Sequence, residues 1–172
     1  MHWQKKCIDM DNKKEEISFD YELIFDDGTR ELKFNNEYSP CSLDFIGQVF
    51  ERLTAENYNF LTNALFDCIT VRGFSNFHQC QFRECATFKG ASFLQNAYFG
   101  ETTFYSYLHL SDAIFYETAS FTSSKFSADA LFDSVEFNGP AGFENTLFSK
   151  NAWFNSVVFN DYAWFIGAHL KT

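Results

Sequence analysis

Phenylalanine recurs through the last two thirds of this chain at steps that alternate between six and five residues. The series runs through positions 60, 66, 77, 82, 88, 93, 99, 104, 115, 121, 126, 132, 137, 143, 148, 154, 159 and 165. Val71, Leu110 and Leu170 complete it without a gap, and Phe74 is the one phenylalanine after residue 59 outside it. This period fits neither the 3.6-residue turn of a helix nor the continuous alternation of a long strand.

A small residue stands two positions before most members of this series. Ala119 precedes Phe121 in this way, and Ser124 precedes Phe126. Side chains two apart on an extended strand share a face, so both point inward and the residue between them points outward. A three-residue strand followed by a two- or three-residue corner is too short for hairpins. The pattern predicts a chain that turns a corner after every unit and stacks on itself as a solenoid.

The segments CQFRECATFKGASF, NAYFGETTF and DAIFYETASF resemble the pentapeptide-repeat family, whose unit is a small residue, any residue, Leu or Phe, and two more. The resemblance covers residues 60–172 and implies an all-β fold, a right-handed quadrilateral β-helix with four units per coil. It implies little about function, because the family is functionally diverse. A strict five-residue period gives coils of 20 residues, whereas two sixes and two fives give 22 here.

Stacking with this longer period places the large side chains in four ladders inside the solenoid. Successive coils are expected about 4.8 Å apart, the distance between paired strands. The predicted ladders are Phe66, Phe88, Leu110, Phe132 and Phe154; Phe60, Phe82, Phe104, Phe126, Phe148 and Leu170; Phe77, Phe99, Phe121, Phe143 and Phe165; and Val71, Phe93, Phe115, Phe137 and Phe159.

The chain divides into three predicted parts: residues 1–41, 42–59 and 60–172. In the first part, residues 17–25 alternate apolar and polar, Asp26-Asp27-Gly28-Thr29 is a turn signal, and Leu32 and Phe34 resume the alternation. This predicts an N-terminal tail and a β-hairpin. A lone hairpin is barely stable, so we expect it to cap the open first coil.

Residues 42–59 leave two readings open, an irregular first coil or a capping helix. Ile46, Val49, Phe50 and Leu53 have helical spacing, although Gly47 disfavours a helix. Phe45, Phe50 and Phe60 instead lie on a five-residue grid that only Ala55 breaks.

Composition predicts a globular cytoplasmic protein. The net charge is −10, the N-terminus has no long apolar core, and no segment has the length and apolarity of a membrane span. Five cysteines, an odd number in a chain of 172 residues, do not indicate a disulfide framework. We therefore expect free thiols in a reducing compartment and no contact with a membrane.

No catalytic, metal or cofactor site is predicted. His78, His109 and His169 neighbour register positions and should point outward, and none has a second histidine at ligand spacing. Cys80 and Cys85 are five residues apart, which is not the spacing of a zinc or redox site. The predicted corners also carry carboxylates, for which a solvated surface is the simplest reading: Glu84, Glu101, Asp112, Glu117 and Asp161.

These observations favour a non-enzymatic scaffold that binds a protein partner of unknown identity. Exposed Tyr and Trp are enriched at the centres of interfaces. Seven aromatic residues outside the ladders form the candidate partner-binding surface: Tyr98, Tyr105, Tyr107, Tyr116, Trp153, Tyr162 and Trp164. Because the ladders run to Leu170 undiminished, two expectations stay open: a homodimer through the C-terminal coil, or a chain that is a fragment of a longer repeat protein.

Two alternative functions remain. Some proteins of the resembled family imitate double-stranded DNA and bind type II topoisomerases such as gyrase. That role calls for columns of acids, whereas the ten acids after residue 59 are spread over all four sides and only Glu117 and Asp161 align. The other alternative is an inhibitor or regulatory subunit of another bacterial or phage system. Direct nucleic-acid binding is not expected, because a net charge of −10 repels phosphate.

Overall fold

The computed structural model describes residues 21–26, 29–34, 38–39 and 42–171, and within them every element is a β-strand. The 27 strands form four sheets, which we number 1 to 4 in the order in which the chain visits them. Sheet 1 contains β1 (Tyr21–Asp26), β2 (Thr29–Phe34), β6 (Arg52–Thr54), β10 (Ser75–Asn76), β14 (Ala97–Tyr98), β18 (Ala119–Ser120), β22 (Ala141–Gly142) and β26 (Ala163–Trp164). Sheet 2 contains β3 (Tyr38–Ser39), β7 (Asn59–Phe60), β11 (Gln81–Phe82), β15 (Thr103–Phe104), β19 (Lys125–Phe126), β23 (Leu147–Phe148) and β27 (His169–Leu170).

The other two sheets complete a four-sided solenoid of about six turns. Sheet 3 contains β4 (Leu43–Asp44), β8 (Ala64–Leu65), β12 (Ala86–Thr87), β16 (Leu108–His109), β20 (Ala130–Leu131) and β24 (Ala152–Trp153). Sheet 4 contains β5 (Val49–Phe50), β9 (Thr70–Val71), β13 (Ser92–Phe93), β17 (Ile114–Phe115), β21 (Glu136–Phe137) and β25 (Val158–Phe159). Sheets 1 and 3 are therefore on opposite sides, as are sheets 2 and 4.

The strands of successive coils pair in parallel at the spacing that the repeat predicts. Ala97 pairs with Ala119, and Phe82 pairs with Phe104, so each residue lies beside its equivalent in the next coil. Inside the coils the phenylalanine rings stack face to face along each ladder, as Phe99 does on Phe121 at 5.1 Å between ring centroids and 7° between ring planes. The all-β fold and the 22-residue coil are thus confirmed.

The ladder side chains from Phe60 to Phe148 are buried. Ala119 and Phe121 are completely buried, while Ser120 between them is half-buried on the outer surface. Leu108 and Leu110 are both completely buried, in the places where the neighbouring coils carry Ala and Phe. Leu108 is larger than the Ala of the neighbouring coils, and Leu110 is smaller than their Phe. The two differences offset each other, which keeps the core volume nearly constant.

The alternation of five and six reflects two kinds of corner. In a five-residue step, the carbonyl of the ladder residue accepts a hydrogen bond from the amide three residues later. The amide of Ala113 donates in this way to Leu110 O at 3.0 Å. The residue before that amide is left-handed, for example Asp112 at φ 62°. The six-residue steps contain an open bend, such as residues 116–117. The tighter corner needs one residue fewer, and the two kinds occupy alternate corners.

One inward column is polar from Cys80 to Thr146, and these four side chains hydrogen-bond to buried carbonyls. Thr102 donates to Phe77 O at 2.5 Å, Ser124 to Phe99 O at 2.5 Å and Thr146 to Phe121 O at 2.9 Å, each 25 residues earlier. The thiol of Cys80 makes the equivalent bond to Ala55 O. These small donors are therefore selected for hydrogen bonding as well as for size.

The N-terminal hairpin extends sheet 1 over the first coil. Strands β1 and β2 pair antiparallel, and β2 pairs in parallel with β6, which places Leu32 against Leu53. Phe34 packs inside, with ring centroids 4.7 Å from Tyr58 and 5.2 Å from Phe60. Residues 1–20, which include the first four residues of the predicted strand 17–25, and the turn residues 27–28 lie outside the described residues.

Residues 42–59 form a coil of strands and contain no helix. Leu43 pairs with Ala64 and Phe50 with Val71. These paired residues are therefore one residue closer in sequence than the paired residues of the later coils. Ala55 occupies a ladder position, and Tyr58, almost completely buried, fills the volume from a position that is small in later coils. This exchange explains the break that Ala55 makes in the five-residue grid.

Candidate interaction surface

The seven predicted aromatic residues do not form one surface. Tyr98 and Trp164 lie on sheet 1, and Tyr116 and Tyr162 lie at the adjoining corner after sheet 4. The remaining three lie on or beside sheet 3: Tyr105, Tyr107 and Trp153. Because sheets 1 and 3 face in opposite directions, a single flat partner contacts one group or the other.

Tyr105 and Tyr107 project from the six-residue corner between sheets 2 and 3, and both are 43% exposed. The guanidinium of Arg83 lies over the Tyr105 ring, with Cζ 4.2 Å from the ring centroid. A side-chain hydrogen bond with Cys85 raises the pKa of the Tyr107 hydroxyl. Tyr107 is therefore a neutral hydrogen-bonding group at physiological pH. Tyr105 and Tyr107 together present two amphipathic rings, on a corner that the coils on both sides hold in place.

On sheet 1, Tyr98 and Trp164 are separated by the small outward residues Ser120 and Gly142. Tyr98 contacts Phe74, with 5.4 Å between ring centroids, and Tyr162 stacks on Trp164 at 6.1 Å. Phe74 was not among the predicted surface residues. Its position outside the otherwise continuous phenylalanine series was the signal that marks it as an outer-surface side chain.

Several acids tie one coil to the next. Asp67 Oδ1 accepts from the amide of Lys89 at 2.8 Å, and Asp133 Oδ1 accepts from the amide of Asn155 at 2.9 Å. Asp129 accepts in the same way from Asn151 at 3.2 Å. These carboxylates make structural contacts, so part of the negative charge serves the stacking of coils.

The described residues contain no group of three or more His, Cys, Asp or Glu side chains arranged to hold a metal ion. His78 is half-buried, with Nε2 3.9 Å from Glu101 Oε1, and His109 is half-buried on sheet 3. The predicted corner acids are exposed and distributed around the rod: Glu84, Glu101, Asp112, Glu117 and Asp161.

Among the described cysteines, three thiols are free and differ in exposure. Cys68 is exposed at a corner, Cys85 is half-buried, and Cys80 is buried in the polar inward column. Burial raises the pKa of the Cys80 thiol from 9.0 to about 12. Cys80 is thus a protonated hydrogen-bond donor at neutral pH and not a nucleophile.

No helix within the described ranges has the length and apolarity to cross a membrane. Comparison with protein families finds a match to the model described as pentapeptide repeats (9 copies), over residues 77–125 and 121–169. No curated protein and no solved structure matches the chain. The matched residues span more than half of the chain and coincide with its regular coils.

Proposed function

We propose that the chain, which belongs to the pentapeptide-repeat family, is a non-enzymatic scaffold that binds another protein through the outer surface of its solenoid. The observation that carries this proposal is the exposure of Tyr105 and Tyr107, each 43%, on a corner that the neighbouring coils hold in place. Large apolar rings that stay exposed on a rigid frame are the usual anchors of protein interfaces.

The frame itself favours binding over catalysis. In the described coils, stacked rings and small residues fill the inward positions, so we expect ligands to bind on the outer surface. The outward side chains project from strands that pair with coils above and below. Ordering such side chains at an interface costs little conformational entropy, because the backbone beneath them is already fixed.

Affinity capture with matched variants tests the scaffold role. The immobilised full chain is compared with the double variant Tyr105→Ser and Tyr107→Ser, and with Leu94→Ser, an exposed apolar residue at a different corner, as control. We expect a partner that the wild type and the Leu94 variant retain and the tyrosine variant loses. If the wild type and both variants retain a partner equally, the tyrosines are not its anchor. If the wild type retains no partner, the scaffold proposal is contradicted.

The distribution of acids favours a protein scaffold over imitation of DNA. A DNA mimic needs carboxylates in continuous rows along one side, at the spacing of phosphates. Here Asp67, Asp129 and Asp133 accept hydrogen bonds between coils instead of standing free in such a row. An assay of supercoiling by gyrase in the presence of the pure protein tests the alternative, and inhibition would support it.

We also propose that a second copy covers the last described coil. Phe165 is 44% exposed and Leu170 is 65% exposed, whereas the equivalent Phe143 and Phe148 one coil earlier are buried. Residues 151–171 carry one acid, Asp161, and one base, Lys171, so this end of the rod brings no net charge to such a contact. The stacked ends would form a longer two-fold rod.

A further inference from the structure

A hollow lies on the outer surface of sheet 1, beside Tyr98. The outward position that follows Tyr98 in the next coil is Ser120, so a large ring is followed by a small residue that lines the hollow. Gly100, at the next corner, adds no side chain, and a Cβ there would meet His78 Nδ1 at 3.2 Å. The result is an open cavity of about 360 Å³.

One wall of this cavity is aromatic. The rings of Phe74 and Tyr98 lie side by side, with centroids 5.4 Å apart and planes inclined at 55°. Both residues are half-buried, so part of each ring contacts the solenoid and part lines the hollow. The face of an aromatic ring carries partial negative charge and attracts cations.

The other wall carries carboxylates. Glu56 and Glu101 line the cavity and are exposed. Their contacts are with neutral amides: Asn76 Nδ2 lies 3.4 Å from Glu56 Oε2, and Gln79 Nε2 lies 2.9 Å from Glu101 Oε2. His78 is the remaining neighbour, 3.9 Å from Glu101. Within the described residues, no Lys or Arg forms an ion pair with either carboxylate.

We propose that this hollow binds an arginine side chain from a basic segment of a partner protein. A planar guanidinium stacks on an aromatic face and donates hydrogen bonds in a fork that suits carboxylates, which lysine does not do equally. The same chemistry occurs within the chain itself, where the Arg83 guanidinium lies over Tyr105 at 4.2 Å. The net charge of −10 favours the approach of a basic partner.

This inference rests on the proposed scaffold function and adds the chemistry of the partner. It also assigns a role to Phe74, the one phenylalanine after residue 59 that lies outside the ladders. The hollow is on the side of the rod opposite Trp153 of sheet 3. A partner bound here is therefore distinct in position from one anchored on Tyr105 and Tyr107.

Fluorescence anisotropy with a labelled peptide of alternating glycine and arginine tests the proposal on the full chain. The variants are Tyr98→Ser, which removes the ring, and Glu101→Gln, which keeps the shape and removes the charge. Leu61→Ser, an exposed apolar residue that follows sheet 2, and Glu136→Gln, on sheet 4, are the controls. We expect Tyr98→Ser and Glu101→Gln each to weaken binding at least about fivefold, and the controls to change it less than about twofold.

Three outcomes would overturn the proposal: no binding of the arginine peptide, equal binding to all four variants, or equal binding of a glycine–lysine peptide. The last two would indicate attraction to the net charge alone. Thermal melting checks that each variant is folded. If Tyr98→Ser lowers the melting temperature, Glu101→Gln alone tests the proposal. Those three outcomes would leave the scaffold function intact, because affinity capture with the Tyr105 and Tyr107 variants tests a different surface of the rod.

Discussion

The hydroxyl of Thr146 donates a hydrogen bond to the carbonyl oxygen of Phe121 at 2.9 Å, across one coil and one corner of the solenoid. The same carbonyl accepts from the amide of Ser124 at 3.1 Å. Thr146 is completely buried, so its hydroxyl has no access to water. The bond joins neighbouring coils through a side chain, in addition to the backbone pairing of the sheets.

Thr146→Val should lower the free energy of unfolding by about 0.5–1.5 kcal/mol, because the isosteric change removes one buried hydrogen bond and leaves the core volume unchanged. Thr103→Val, on the outer surface of sheet 2, is the control and should change stability by less than about 0.5 kcal/mol. Chemical denaturation measures both. Equal losses would show that the inward hydroxyls do not contribute to stability.

Ala119→Leu should destabilise the fold by about 1–3 kcal/mol, since Ala119 is completely buried beside stacked rings and a larger side chain overfills the coil. Ser120→Leu, one residue later and facing outward, should cost less than about 0.5 kcal/mol. Thermal melts of the two variants provide the comparison. The inward and outward assignments would be wrong if the two melting temperatures fell by the same amount.

Gly139→Ala should also destabilise, by about 1–3 kcal/mol. A Cβ at residue 139 would lie 2.8 Å from the carbonyl oxygen and 2.6 Å from the carbonyl carbon of Glu117, both backbone atoms that cannot move aside. At Gly100, the nearest atom is the movable His78 ring at 3.2 Å, so Gly100→Ala should cost less. Denaturant midpoints that rank the two variants in the opposite order would contradict this explanation.

Cys80 should make stability fall in alkaline solution. Burial raises the pKa of its thiol from 9.0 to about 12, so the folded chain keeps a proton that the unfolded chain releases above pH 9.0. The stabilising contribution is complete below pH 9.0 and decreases toward pH 12, by about 1.4 kcal/mol per pH unit within that window.

Urea denaturation between pH 8 and pH 11 measures this effect, with Cys80→Ser as the variant that keeps a donor and removes the titration. The exposed Cys68 supplies the control, Cys68→Ser, which removes one thiol and leaves Cys80 in place. If Cys80→Ser and the wild type showed the same slope with pH, the linkage assigned to Cys80 would be absent.

Leu170→Glu should weaken association of two copies, because it places a charge on the end face that we propose a second copy covers. Leu170 is 65% exposed in the single chain. Leu61→Glu, exposed at an early corner, is the control and should associate like the wild type. Light scattering over a range of concentrations measures the mass. A wild type that remains a monomer at every concentration would reject the dimer.

The repeat was predictable in detail because each coil contacts mainly its two neighbours. A fixed period is therefore enough to place Phe99 on Phe121 and Ala97 beside Ala119. The first coil was not predictable to the same degree. It is one residue shorter than the later coils. Ala55 stands where later coils carry Phe, and the buried ring of Tyr58 fills the space from another inward column. A fixed period cannot predict a compensation between two columns.

The sequence alone determined the fold class, the coil length and which side chains point inward, because a strict spacing of large and small residues permits one stacked arrangement of strands. Only the tertiary structure decided how the outward residues combine. Whether Tyr98 borders a hollow depends on Ser120 in the next coil, on Phe74 at a corner and on Glu101 at a left-handed corner position. Those relationships arise between coils and corners, where distances in space are set by stacking and not by separation along the chain.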